Sequence, residues 1–125
     1  MDIERLMTTI IGCAVTVKRT LGEGFLENVY KNALFVEFND LGIKCSLEEP
    51  LTVIYKGRPV GQYRADIIVE KSIIIELKVC ESIAKEHEYQ LVNYLRATGI
   101  DHGLIINFGE NPMKFKRKFR NPQKK

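Results

Sequence analysis

The stretch Ser72-Ile73-Ile74-Ile75-Glu76-Leu77-Lys78-Val79 constrains the fold more than any other part of the chain. A run this apolar and β-branched suits a central strand covered on both faces. Two charges interrupt it. At i and i+2, Glu76 and Lys78 point to the same face, about 6.6 Å apart along the strand. Charges on a covered face are costly unless they pair, bind a metal or line a wet cleft. The preceding strand carries the same anomaly. Asp66 sits within Tyr63-Arg64-Ala65-Asp66-Ile67-Ile68-Val69, although aspartate is disfavoured in strands. A tight connection at Glu70-Lys71 lets Asp66 lie beside Glu76.

The rest of the chain supplies a setting for these strands. Ile3, Leu6, Met7, Ile10, Ala14, Val17 and Leu21 recur at three- and four-residue steps, which predicts a first helix ended by Gly22 and Gly24. A second helix is expected from Phe25 to Leu41, closed by Gly42. The period then changes to two. Strands are predicted over residues 43–48 and 51–55, broken at Pro50, then over 60–69 and 72–79. A third helix over 83–98 stops at Gly99, and strands follow over 103–108 and 113–119. The order ααββββαββ is a mixed sheet with helices packed on it, α/β bordering on α+β. The segment 72–108 should be a βαβ crossover with its two strands parallel.

At 125 residues the chain is one domain, expected over 1–120, and residues 121–125 are expected to be a disordered basic tail. Hydrophobic residues at 45% and charged residues at 28% exclude an intrinsically disordered chain. Cys13, Cys45 and Cys80 form no CxxC pair and no zinc pattern; reduced thiols in the cytoplasm are the simpler reading. The start Met-Asp-Ile-Glu places acids where a signal peptide needs bases. No membrane span is expected, because the 12-residue uncharged run from Leu6 to Val17 falls short of the roughly 20 residues a bilayer needs. The formal charge of +3 is unevenly spread: residues 111–125 carry five Lys and two Arg without an acid, +7, so residues 1–110 carry −4. A polyanion partner fits, but no broad basic face is implied.

Two carboxylates and a lysine converging on one sheet face suit phosphodiester cleavage. Mg²⁺ takes one or two protein carboxylates and keeps several waters. It acidifies a bound water and neutralises charge on phosphate, and an adjacent lysine can orient or deprotonate the attacking water. The alternative is a buried Asp–Lys or Glu–Lys pair that is only structural. Glu27, in Gly24-Phe25-Leu26-Glu27-Asn28-Val29-Tyr30, is by position alone a first-turn carboxylate favoured by the helix dipole. Tyr30, one turn on, reads as a core aromatic with a satisfied hydroxyl. In the third helix, Ile83, His87, Gln90 and Tyr94 share one face. That polar stripe either touches the site or consists of a capping histidine and a helix hydrogen-bond pair. In the tail, Lys114, Lys116, Lys118 and Arg120 share one face, which is either a phosphate-contacting edge or an edge strand protected by its charges.

Asp66 followed by Glu76-Leu77-Lys78 resembles the PD-(D/E)XK nuclease signature, with Ala65 standing where the motif has proline. More narrowly, the chain resembles the GxxExxY protein family, a branch of that superfamily. Gly24-Phe25-Leu26-Glu27-Asn28-Val29-Tyr30 matches the motif that names it. Tyr63-Arg64-Ala65-Asp66, Ile75-Glu76-Leu77-Lys78, His87-Glu88-Tyr89-Gln90-Leu91-Val92-Asn93-Tyr94-Leu95 and Ile106-Asn107-Phe108-Gly109 are also family-like. The resemblance implies a restriction-endonuclease-like fold, a mixed central sheet flanked by helices. It implies that Asp66, Glu76, Glu27 and the Leu77 carbonyl hold Mg²⁺ or Mn²⁺, and that Lys78 acts on the water or the phosphate. It gives Gln90 a catalytic part, and with Tyr94 the orienting of the site or the nucleic-acid backbone; Tyr30 and His87 would help position substrate.

The expected function is a metal-dependent nuclease acting on DNA, with RNA second. As an enzyme addressing two strands it would be a homodimer, and an unidentified protein partner is a further expectation, as a source of specificity. The competing reading is a catalytically idle module on the same fold that binds nucleic acid or protein. A third is metal-dependent chemistry on a small phosphate compound.

Overall fold

A computed structural model describes residues 2–121. The elements are α1 (Ile3–Leu21), α2 (Glu27–Asp40), β1 (Cys45–Tyr55), β2 (Arg58–Val69), β3 (Ile73–Lys78), α3 (Lys85–Thr98), β4 (His102–Asn107) and β5 (Lys114–Phe119). Helix α1 starts where Asp2 accepts the Arg5 N–H at 2.8 Å, satisfying one of the free amides of a first turn. Its apolar stripe (Leu6, Met7, Ile10, Ala14, Val17) is buried as the spacing requires. Tyr30, Leu34 and Phe38 form the corresponding stripe of α2. The expected tail residues 122–125 lie outside the described part.

The order is ααβββαββ, one strand fewer than expected. The strands expected over 43–48 and 51–55 are one strand, β1, which begins at Cys45 and runs through Pro50. The strand tolerates the proline because it lies at the edge of the sheet, with β2 as its sole neighbour. Glu48 takes a φ of 53° without shifting the register, and the irregularity in the β1–β2 ladder falls between Val53 and Ile54.

The five strands lie in sequence order, β1-β2-β3-β4-β5. Strands β3 and β4 are parallel, as the helical crossover between them requires, and every other pair is antiparallel. This is a mixed sheet of the α/β class. On one face, α1 and α2 pack against Ile67, Val69, Ile73, Ile75, Leu77, Leu104 and Ile106. On the other, α3 contributes Leu91, Tyr94 and Leu95 to a smaller core with Ile68, Ile74 and Ile105. Strand β3 is therefore covered on both sides: Ile73, Ile74 and Ile75 are fully buried, each contributing about 1.5–3 kcal/mol. The period of two sends Glu76 and Lys78 to the α3 side, with Ile74.

Beyond Ile67, β2 no longer pairs with β3. Their ladder holds three residue pairs, Val69↔Ile73, Ile68↔Ile74 and Ile67↔Ile75. The β1–β2 ladder continues to Tyr55↔Arg58. Residues 52–62 thus form a two-stranded ribbon projecting past β3, closed by Lys56 and Gly57 at φ 50° and 75°.

Candidate active site

The parting of β2 from β3 creates the site. Asp66 is the first residue of β2 past the shared ladder, and its Oδ2 accepts the Leu77 N–H at 2.8 Å. This holds the Asp66 carboxylate against the backbone of the strand that carries Glu76. Glu76 is 7% exposed, and its Oε1 has no hydrogen-bond partner. Burial pushes the Glu76 carboxyl up to about 9. Asp66 adds to the shift, by hydrogen bonding to the protonated form and by repelling the charged one, while Lys78 opposes it. At neutral pH, with nothing bound, Glu76 is a protonated acid beside a second carboxyl group.

That arrangement fits a divalent cation. A buried carboxylate oxygen without a partner normally costs about 1–3 kcal/mol. Two carboxyl groups that repel each other when ionised gain from a positive charge between them. Hard cations take oxygen ligands of this kind. The expected third carboxylate is not part of the group. Glu27 is exposed as the first residue of α2, and among the described residues no three Asp, Glu, His or Cys side chains converge. The helix begins at Glu27 itself, and a first-turn side chain lies beside free backbone amides and solvent.

Lys78 is half-buried at the end of β3, close enough to Glu76 to lower its pKa. Tyr94, on α3, is 6% exposed, and its hydroxyl is pushed up to about 12 by burial first, then by Glu76, Tyr63 and Asp66. The structure thus brings Asp66, Glu76, Lys78 and Tyr94 together. Gln90 lies one turn before Tyr94 and, with it, lines a groove of about 820 Å³ between α3 and the β1–β2 ribbon.

Four other expected residues are engaged elsewhere. Tyr30 is fully buried: its hydroxyl donates to the Gly22 carbonyl at 2.6 Å and accepts the Phe25 N–H at 3.3 Å. Its ring stacks on Phe108 with centroids 4.4 Å apart. It pins the loop before α2 instead of facing substrate. The Phe108 N–H in turn donates to the Lys78 carbonyl at 2.9 Å, so this stack ties the start of α2 to the end of β3. His87 accepts the Ala84 N–H through Nδ1 at 3.1 Å, which makes it the cap of α3. Lys118 of β5 pairs with Glu88 at 3.1 Å, and Arg120, just past the strand, with Asp101 at 2.8 Å. Their charges are matched within the fold, leaving Lys114 and Lys116 as the exposed bases of the strand.

Asn107, given no role by the sequence beyond its family-like stretch, braces the edge of the site. It is fully buried at the end of β4. Its Oδ1 accepts the N–H groups of Cys80 and Gly109 at 3.1 and 3.0 Å. Its Nδ2 donates to the Cys80 carbonyl at 2.9 Å and to Glu110 Oε2 at 2.7 Å. It thereby fixes the chain leaving β3, two residues after Lys78. The signal was available: a lone amide closes the apolar run Leu104-Ile105-Ile106. Among the described residues no helix is long and apolar enough to cross a membrane.

Comparison with known proteins bears on the fold and the family. No curated protein matches the sequence. The crystal structure of SSO0001 is similar, with a TM-score of 0.56 and 21% identity over 72% of this chain and 48% of that one. The likeness bears on the fold, and the chain spans about half the length of SSO0001. The profile of the PD-(D/E)XK nuclease superfamily matches residues 4–119, including Asp66 and the Glu76-Leu77-Lys78 triplet, and the chain belongs to that superfamily.

Proposed function

We propose that the chain is a divalent-metal-dependent nuclease of the GxxExxY branch, hydrolysing phosphodiester bonds of DNA, with RNA second, and that residues 1–120 are its domain. The observation that carries this reading is the unpartnered Oε1 of buried Glu76 beside Asp66, with Lys78 on the same strand face. Asp66, Glu76 and the Leu77 carbonyl would hold Mg²⁺ or Mn²⁺, which supplies charge neutralisation at the phosphate and a more acidic water. The Leu77 N–H keeps Asp66 turned toward Glu76. Lys78 orients the attacking water or takes its proton. Tyr94 walls the carboxylates off from bulk solvent, and Gln90 orients the bound backbone. Glu27, exposed at the start of α2, acts through solvent molecules and not as a direct ligand.

The test is cleavage of labelled single-stranded, duplex and branched DNA and of RNA, with Mg²⁺, Mn²⁺ or EDTA. Activity should require metal and disappear in Glu76→Ala and Lys78→Ala. The second reading, an idle binding module, draws on the protonation of Glu76 at neutral pH. It predicts no cutting and binding unchanged in both variants, and that result would replace the nuclease assignment.

A further inference from the structure

Three of the five tyrosines of the chain line one groove. Tyr63 comes from β2, and Tyr89 and Tyr94 from α3. Tyr94 is buried at the deep end, where its hydroxyl meets the fields of Asp66 and Glu76. Tyr63 packs against it, ring centroids 5.3 Å apart at 50°, yet remains 44% exposed, and Tyr89 is 66% exposed. Large rings left open beside a reaction centre need a partner more than scattered surface apolar groups do. Around the rings stand Gln90 and Asn93, whose amides offer both donors and acceptors. The charges in the lining, Glu86 and Arg96, balance. A surface of this kind grips by ring faces and amide hydrogen bonds, not by phosphate neutralisation.

We infer that this groove receives an unpaired nucleobase of a single-stranded segment, stacked on Tyr63 or Tyr89, and so selects single-stranded or unwound nucleic acid for the adjacent carboxylates. The inference rests on the nuclease reading for what is cut, but not for what is bound. A base inside a duplex has both faces covered by its neighbours and has none to offer a tyrosine; an unpaired base has both. The groove is open between α3 and the projecting ribbon and leads to Tyr94, so the strand that places a base here brings its backbone toward Asp66 and Glu76. Because every base has a ring face, stacking carries little sequence preference.

The test uses the full chain carrying Lys78→Ala, with Mg²⁺ present, and oligonucleotides containing the fluorescent adenine analogue 2-aminopurine as single strands and in duplex. Binding of the single strand should quench the probe. Tyr89→Ala should abolish the quench and weaken binding about tenfold, while Tyr89→Phe retains both. Tyr63→Ala should act in the same direction. Both side chains are exposed enough for the variants to fold, and Tyr55→Ala, an exposed tyrosine outside the groove, should change neither readout. Quench and affinity unaltered in Tyr63→Ala and Tyr89→Ala, or a duplex bound as tightly as the single strand, would overturn the inference. Cutting is scored separately in the unsubstituted chain. Metal-dependent cleavage without stacking that depends on Tyr63 or Tyr89 removes the groove assignment and leaves the nuclease; stacking without cleavage does the reverse.

Discussion

The carboxylate of Asp66 takes the N–H of Leu77 at 2.8 Å, at the point where β2 and β3 separate. Continued at the same register, the ladder would set Leu77 opposite Ala65. A side chain has thus taken over from the neighbouring strand's backbone, and the same bond that closes the sheet aims a carboxylate at Glu76.

Two variants of Asp66 should therefore separate structure from chemistry. Asp66→Ala leaves a buried N–H without a partner and should cost about 1–3 kcal/mol. Asp66→Asn keeps an oxygen acceptor and should retain most of that stability while losing metal binding and cleavage. Urea unfolding in EDTA beside a cleavage assay measures both effects. Equal stability of the two variants would refute the structural part.

Glu76 makes stability depend on pH. Its folded pKa, about 9, lies above the usual carboxylate value of 4.5. Between those values the folded chain holds a proton that the unfolded chain has released. Its contribution is fully present below about pH 4.5 and is lost as pH rises toward 9. Without metal, the unfolding free energy from this group should fall across that window, and Glu76→Gln should flatten the trend. Metal binding should release a proton and strengthen as pH rises, which calorimetry in buffers of different ionisation enthalpy can detect.

Asn107 closes four hydrogen bonds around Cys80, Gly109 and Glu110. Asn107→Leu strands two backbone N–H groups and a carbonyl, and should cost about 2–4 kcal/mol. Because the chain after Lys78 would be released, kcat should drop in the surviving folded protein. Thermal unfolding and turnover, compared with Asn107→Asp, provide the check.

Gly109 is required by close approach. A Cβ there would lie 2.5 Å from both the N and the O of Cys80, which are backbone atoms that cannot rotate away. Gly109→Ala should destabilise by about 1–3 kcal/mol. Gly12, where a Cβ meets nothing within 4 Å, lies mid-helix and should gain roughly 0.5–1 kcal/mol as alanine. Denaturant midpoints of the two variants should move in opposite directions.

The elements were legible wherever a period ran unbroken: α1 from its stripe, and β3 from its isoleucines and displaced charges. Pro50 misled because whether a proline ends a strand depends on whether the strand is at an edge, and that is decided by the partners β1 finds. The convergence of Asp66, Glu76 and Lys78 could be foreseen because one short turn links the two strands. The engagement of Lys118 with Glu88 could not, since it joins β5 to α3, and that of Arg120 with Asp101 follows only from the β4–β5 register, in which His102 faces Phe119. Glu27 was placed by its motif, but its distance from the carboxylates is set by where α2 begins, which depends on Tyr30 meeting Phe108.

The ribbon of residues 52–62 hangs from the sheet by β1 and β2 alone, with no third strand beside it among the described residues. Its amides answer to the opening of one hairpin, whereas those of Ile73–Ile75 answer to unfolding of the whole domain. Hydrogen exchange should therefore divide β2 near Asp66, slow on the Val69 side and fast on the Gln62 side. The groove that the ribbon borders would then widen and narrow while the strands bearing Glu76 and Lys78 stay closed.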